Sequence, residues 1–170
     1  DHRDLHSFPT RRSSDLSAAR VRAFALAAIR ETYEEAGIFV GRKSDDTGLR
    51  LGKGFEAFGD RGIQPDLSGL RMVARAITPP QRPRRFDTRF LAVWSDAIAD
   101  RLPEGTGPSG ELEDCAWRTL EEGREKELPL ITQKILTDRE DRLASDPELS
   151  PGTRVPYYFF RKGTFVRDQI

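Results

Sequence analysis

A long alanine-rich stretch begins at Ser17 and stops at Gly37, and three apolar residues follow it directly in the sequence IFV. Most of the residues in this stretch favour helices. Its apolar residues recur at steps of three and four, as on one face of a helix, and they are Leu26, Ile29, Tyr33 and Ala36. Glycine commonly ends helices. The sequence therefore predicts a helix that ends at Gly37, followed by a short buried strand.

Three carboxylates lie on the side of this predicted helix away from its apolar face. They belong to Glu31, Glu34 and Glu35, which are spaced i, i+3 and i+4. Acidic residues commonly line a solvated helix face, and spacing alone favours that interpretation. The three charges also repel one another, and a divalent cation would relieve the repulsion. Oxygen ligands suit Mg²⁺ or Mn²⁺, so a metal site stays open as the alternative.

The overall charge and the cysteine content narrow the class of protein. The chain has 170 residues, the length of one domain. It contains 28 Lys and Arg and 28 Asp and Glu, so it has no net charge. We therefore expect neither nucleic acid nor an anionic membrane surface as a partner. The longest apolar run, AFALAAI, is far shorter than a bilayer span. The single Cys115 cannot form an internal disulfide, which fits a reducing compartment such as the cytoplasm.

The first sixteen residues, Asp1 to Leu16, have neither a helical nor a strand period. They resemble one reading frame of a common short-read sequencing adapter, which translates to all sixteen. We therefore expect a non-native tail over 1–16 and a natural domain over 17–170 whose upstream part is missing. Both histidines of the chain lie in this tail, so chemistry in the natural part must work without histidine.

The stretch RETYEEAGI resembles the second half of the Nudix box, the motif of the Nudix hydrolases. That half reads Arg-Glu, two residues, Glu-Glu, one residue, Gly and an aliphatic residue. The matching positions are Arg30, Glu31, Glu34, Glu35, Gly37 and Ile38. Thr32 departs mildly from the pattern, because the family usually has a larger aliphatic residue there. Regular spacing would place the glycine and the glutamate of the first half at Leu16 and Arg22, and neither residue fits. We therefore expect that the glycine loop of the first half is cut away and that an insertion separated it from the helix.

The stretch ITPPQRPRRFDTRFLAVW resembles the Nudix branch of the coenzyme A diphosphatases, which carries such an insertion. Its alternation predicts a strand with Thr88, Phe90, Ala92 and Trp94 on one side and Arg89, Leu91 and Val93 on the other. The basic cluster is either a solvated loop or, as the resemblance implies, part of the substrate cleft. A guanidinium binds diphosphate oxygens in a bidentate way, and Arg85 and Arg89 are the candidate substrate-binding residues.

An acidic loop, GELEDCAW, precedes Trp117. Nudix proteins often place an acidic residue several positions before a tryptophan, on a loop that faces the metals. Glu111 fits that spacing best, and Glu113 is the second choice. An acidic surface loop in front of a core tryptophan is an equally good interpretation.

The rest of the chain is less informative. LPLITQKIL predicts a packing helix whose inward residues are Leu130, Ile131, Ile135 and Leu136, and VPYYFF, RKG and TFV predict a hairpin with Gly163 in the turn. Residues 42–67 are predicted to be a long loop or a lid. The stretch SDAIADRLPEGTGPSG predicts a short helix and then a flexible linker, and 141–152 a polar connector.

The resemblance implies a Nudix-like α/β/α sandwich with a mixed sheet, here without its N-terminal strands. It also implies hydrolysis of a diphosphate linkage in a nucleoside diphosphate or coenzyme A-like small molecule, impaired in this chain. Glu34 and Glu35 would hold Mg²⁺ or Mn²⁺, and Glu31 would act as the base or bind a further metal. Arg30 would fix the rotamer of a glutamate, and Glu111 would supply the base or an extra ligand.

A second copy of the chain, in a homodimer, stays open as a partner. Two rival functions belong to other classes of protein. The first rival is a non-catalytic domain on the Nudix scaffold that binds a nucleotide or a protein. Such domains usually lose acids from the box helix, whereas all three are present here. The second is a helical interaction domain with a chance motif, which would leave the predicted strands unexplained.

Overall fold

A computed structural model describes residues 17–46, 51–113 and 115–170 of the chain, so the predicted tail over 1–16 lies outside the described residues. The helices are α1 (Ala18–Ala36), α2 (Glu56–Asp60), α3 (Leu120–Arg124) and α4 (Leu130–Ser145). The strands are β1 (Ile38–Lys43), β2 (Ile63–Pro65), β3 (Arg71–Ile77), β4 (Asp87–Ala92), β5 (Ile98–Arg101), β6 (Pro156–Arg161) and β7 (Thr164–Gln169). None of the helices in the described part is long and apolar enough to cross a membrane.

Helix α1 has the ends that its sequence predicts. The Ser17 side chain accepts a hydrogen bond of 3.3 Å from the backbone N–H of Arg20, which satisfies one of the free donors of the first turn. At the other end Gly37 has a left-handed φ of 67° and donates its N–H to the carbonyl of Tyr33. The chain turns there directly into β1, so the predicted boundary between helix and strand is confirmed.

The first sheet is antiparallel, with the order β2-β1-β5. Helix α1 contributes the buried Ile29 and the ring of Tyr33 to the core on this sheet. The rings of Tyr33, Phe39 and Phe58 lie 4.6 to 5.7 Å apart between centroids, distances at which aromatic pairs attract each other beyond simple burial.

The prediction of a long loop or lid over 42–67 is wrong for the described part of that segment. Phe58 on α2 and Ile63 on β2 are both fully buried and belong to the core under α1. The segment around them is rich in glycines and charged residues, so neither lies in a long periodic apolar pattern. Packing against β1 and α1, rather than local propensity, determines the structure of this segment.

The second sheet is mixed, with the order β4-β3-β6-β7, and only β3 and β6 run parallel. Strand β4 confirms the strand predicted from the alternating run. Strands β6 and β7 form the predicted hairpin, in which Lys162 and Gly163 both have positive φ, of 50° and 79°. Two such residues make a turn whose twist matches that of the paired strands.

Helix α4 covers one face of the second sheet. Ile131 and Ile135 pack against Ala74, Tyr158 and Phe90. The Tyr158 hydroxyl donates to Asp138, which also accepts two hydrogen bonds from Arg167 of 3.1 and 3.0 Å. Burial, and then the bond to Asp138, raise the pKa of Tyr158 to about 12. The helix is therefore fixed to the sheet by both apolar and polar contacts.

Three finer predictions for the C-terminal half are wrong. Leu130 is 67% exposed rather than inward, because it is the first residue of α4 and lies about a quarter-turn from Ile131. The predicted connector over 141–152 begins as the end of α4 and contains Leu149, which is 2% exposed. After the 3₁₀ helix Ser95–Ala97 the chain forms β5 rather than a linker.

The described residues form a mixed α/β fold with two sheets. Helix α1 lies on the three-stranded sheet and α4 on the four-stranded sheet. The rival interpretation of a helical interaction domain is wrong, since the described part of the chain contains seven strands.

Candidate functional site

The last two turns of α1 carry the three predicted carboxylates and the arginine beside them. The Nη2 atom of Arg30 donates to Glu31 Oε1 over 2.7 Å, and its Nε lies 3.4 Å from Glu34 Oε1. The hydrogen bond to Glu31, and then the charge of Glu34, raise the pKa of Arg30 above its ordinary value. Arg30 thus connects two of the acids, the geometry expected of a residue that fixes glutamate rotamers.

Glu35 differs from the other two acids because its side chain has no hydrogen bond or ion pair with the described residues. It is nevertheless half-buried at the end of the helix. A partly buried carboxylate without a counter-ion is a suitable ligand for a cation.

A metal here would need ligands besides these carboxylates. Within the described ranges, no three His, Cys, Asp or Glu side chains come close enough together to hold a metal ion. Mg²⁺ commonly binds through one or two carboxylates and keeps water or substrate phosphate oxygens as its other ligands. The acids of α1 fit a metal held in that open manner.

The loop after β5 is bonded to the C-terminal end of α1. The backbone N–H groups of Leu102, Gly107 and Ser109 donate to the carbonyls of Gly37, Glu35 and Glu34 over 2.8, 2.8 and 2.9 Å. The last carbonyls of a helix lack hydrogen-bond donors within the helix, and the N–H groups of this loop serve as their donors. The prediction of a flexible linker is wrong here, because the loop is fixed at three points.

Glu111 lies two residues beyond Ser109, the last point at which this loop is bonded to the end of α1. Its backbone N–H donates to the Ser109 hydroxyl over 3.2 Å, while the Ser109 N–H is bonded to the Glu34 carbonyl. Glu111 and Glu113 are both exposed. Trp117 is not a core residue: it is 65% exposed, and the Arg101 guanidinium lies 4.7 Å from its ring centroid.

The two predicted substrate-binding arginines have different surroundings. Arg89, on β4, has a side chain only 14% exposed, with its Nη2 3.5 Å from Asp87 Oδ2. Its guanidinium lies 4.5 Å from the ring centroid of Phe24 on α1. Arg85 is in the exposed loop before β4 and donates from Nε to the Thr78 carbonyl over 3.2 Å. Their role in substrate binding stays a prediction.

Sequence reasoning missed a buried ion pair beside Arg89. Arg75, on β3, is 4% exposed and donates to both carboxylate oxygens of Asp87 over 2.8 and 2.7 Å. Its guanidinium lies 4.9 Å from the ring centroid of Tyr157 on β6. Arg75 is also directly opposite Arg89 across the β3–β4 pair. The available signal was Arg75, which interrupts the apolar run MVARAI.

No family model, no curated protein and no solved structure matches the chain. The residues that bear on its function are therefore those of α1, those of the loop bonded to it, and the arginines of β3 and β4.

We expect Asp87→Asn to destabilise the protein at neutral pH by about 1–3 kcal/mol. The change removes the negative charge that accepts two hydrogen bonds from the buried Arg75 guanidinium, and the 40% exposure of the Asp87 side chain keeps the cost below that of a fully buried pair. The hydrogen bonds from Arg75 hold the pKa of Asp87 below its ordinary value. Its contribution is therefore present above about pH 4, the ordinary aspartate pKa, and is lost as the pH falls through the folded-state pKa.

Urea unfolding at pH 7 and at steps down to pH 2.5 measures both effects. Asp168→Asn is the control, because Asp168 is exposed and has no ion pair with the described residues. The unfolding free energies of unmodified protein and Asp87→Asn should converge at acid pH. Equal stabilities at pH 7 would contradict the assigned role of the pair.

Proposed function

We propose that this chain is a Nudix-type hydrolase that splits a diphosphate linkage with the help of Mg²⁺ or Mn²⁺. The observation that carries the proposal is the stretch RETYEEAGI, which lies at the end of α1 with a left-handed Gly37 and with Arg30 paired to Glu31 and Glu34. The second stretch that resembles the family, PRRFDTRFLA, leads into β4. Helices on two sheets are compatible with the Nudix-like α/β/α sandwich that we propose as the finer fold.

Each acid has a role that follows from its surroundings. Glu34 and Glu35 would hold the metal. Glu35 has no ion pair with the described residues. A bound metal neutralises diphosphate oxygens and lowers the pKa of a water bound to it. Glu31 or Glu111 would accept the proton of the attacking water, since 17–170 contains no histidine. Arg30 would keep Glu31 and Glu34 in fixed rotamers.

The proposed substrate is a nucleoside diphosphate derivative or a coenzyme A-like molecule. Arg85 and Arg89 would bind its phosphate oxygens. The guanidinium of Arg89 is already held by Phe24 and Asp87, so little side-chain entropy would be lost when an anion binds to it. Arg85 is on an exposed loop that a substrate can reach.

The second candidate function is a non-catalytic nucleotide- or protein-binding domain on the same scaffold. One observation favours it: in the part of the chain that the structure describes, the acids do not form a group of three around a common point. Turnover distinguishes the two functions, because both would bind a nucleotide but only one would cleave it.

The test is to incubate the protein with coenzyme A, ADP-ribose and a dinucleoside polyphosphate, each with Mg²⁺, with Mn²⁺ and with a chelator. We expect slow cleavage of at least one of these diphosphates. Chromatography of the nucleotide products measures the cleavage. The chelator should stop the reaction, and excess Mn²⁺ should restore it. Binding of these nucleotides without any cleavage would favour the second function instead.

A further inference from the structure

A cavity of about 400 Å³ lies away from the acidic end of α1. It is formed by the start of β3, the end of α4, the loop over 149–153 and the ends of the final hairpin. The residues that line it include Leu70, Arg71, Met72, Arg142, Leu149 and Val155. Its volume is within the range of small-molecule sites. No residue of α1, and none of the loop that carries Glu111, lines it, so it is separate from the candidate active site.

Arg71 supplies an uncompensated positive charge to this cavity. Its Nη1 donates to the carbonyls of Ser68 and Leu70 over 2.8 and 3.1 Å. Its Nε is buried without an acceptor among the described residues, and none of the described acidic residues pairs with it. A guanidinium that is partly removed from water, with donors left unused, favours an anion beside it.

Arg142 supplies a second guanidinium to the lining, and the carboxylate of Asp146 pairs with it. Arg142 donates to the carbonyls of Met72 and Ser150 over 3.1 and 3.2 Å, and its Nη2 is 3.5 Å from Asp146 Oδ2. That carboxylate also accepts hydrogen bonds from the backbone N–H and the hydroxyl of Ser150. Arg142 thus has a carboxylate partner, whereas Arg71 has none among the described residues.

The rest of the wall is largely apolar and held in place. Leu149 is 2% exposed and has a left-handed φ of 48°, a conformation that a leucine keeps only where surrounding contacts impose it. The bonds from Ser150 to Asp146 and the backbone pair between Val155 and Ile170 fix the two sides of this wall. The cavity thus combines a positive end with a preformed apolar surface.

We propose that this cavity binds a small organic anion. Its carboxylate or phosphate group would lie at the Arg71 and Arg142 guanidinium groups, and its apolar body would lie against Leu149 and Val155. Guanidinium groups bind both kinds of oxyanion in the same bidentate manner. The site is independent of the hydrolase proposed for α1.

Titrations with octanoate, octyl phosphate, 1-octanol and inorganic phosphate, followed by amide NMR shifts and calorimetry, test the proposal. We expect one or both of the octyl anions to bind, and 1-octanol to bind at least about tenfold more weakly because it lacks the charge. The tighter of the two octyl anions identifies the head group. The proposal is overturned if neither octyl anion binds. It is also overturned if 1-octanol or inorganic phosphate binds as tightly as the octyl anions do.

Arg71→Gln should weaken binding of the tighter octyl anion at least about tenfold. Arg154→Gln is the matched control, because Arg154 is exposed and lies between two lining residues, Thr153 and Val155, without lining the cavity itself. Equal losses in the two variants would show general charge attraction only and overturn the site. Should Arg71→Gln fail to fold, salt titration of the unaltered protein decides, since affinity that is insensitive to NaCl contradicts a guanidinium-bound anion.

Discussion

Replacing Glu35 by Gln is expected to lower metal-dependent diphosphate hydrolysis by about a hundredfold or more, the scale of lost electrostatic stabilisation in active sites. The amide keeps the shape of the side chain but removes the charge that would bind the metal. Glu35 is the informative position because no ion pair with the described residues constrains it. Glu34→Gln should have a similar effect, although the ion pair with Arg30 is lost with it.

Initial rates at saturating Mn²⁺ measure this effect, and calorimetric Mn²⁺ titrations separate metal binding from catalysis. Glu121→Gln is the control, since Glu121 is an exposed acid on α3 without an ion pair in the described part of the chain. Circular dichroism establishes that each variant is folded. Near-normal rates in both folded variants of α1 would show that these glutamates do not hold the metal.

Gly107→Ala is expected to destabilise the protein by about 1–3 kcal/mol, the usual cost of forcing an extra methyl group into a packed site. A Cβ at position 107 would lie 2.2 Å from the carbonyl oxygen of Glu34, which is backbone and cannot rotate away. The loop would have to move off the end of α1 and lose its hydrogen bonds to Glu34 and Glu35. For a chain of this length the melting temperature should fall by roughly 2–4 °C per kcal/mol.

Thermal unfolding of Gly107→Ala beside Gly52→Ala measures the steric effect alone. Neither glycine has a positive φ, and a Cβ at position 52 would meet no atom of the described residues within 4 Å. Gly52→Ala should therefore leave the melting temperature nearly unchanged. Equal melting temperatures for the two variants would mean that the loop does not contact the helix as closely as described.

The elements that the sequence predicts correctly are those determined by neighbouring residues. Helix α1 is flanked by its own cap and stop signals at Ser17 and Gly37, and the final hairpin has a turn of Lys162 and Gly163 that suits paired strands. In both cases local backbone preference and the apolar pattern agree with the tertiary structure. Such segments are predictable without knowledge of what packs on them.

The missed elements are buried by distant parts of the chain. Leu149 is a single apolar residue in a polar segment, and Phe58 has only Phe55 and Ala57 near it in sequence, so no extended periodicity marks either one. Trp117 shows the opposite case: one of the two interpretations of GELEDCAW places it in the core, whereas its ring is exposed and lies against the exposed Arg101. Burial of an isolated residue depends on packing partners that are remote in sequence.

In the candidate site, the contacts within one helix could be predicted from the sequence, and those between different elements could not. Arg30 and its glutamates are neighbours on one helix, so their spacing indicates that they interact. The contact of the Gly107 loop with α1, and the pair of Arg75 with Asp87, join residues on different elements. No spacing rule within a single element indicates such contacts.

The parallel pairing of β3 with β6 has a consequence for how the molecule folds. Arg75 is opposite Tyr157, so nearly half of the chain lies between the two strands that this pairing joins. Closing so long a loop costs conformational entropy before any contact compensates for it, and such non-local topologies fold slowly. The hairpin of β6 and β7 can form early from local contacts, whereas its docking onto β3 is expected to be the late step. Backbone amides at the centre of the second sheet should then exchange with deuterium only when the whole molecule unfolds.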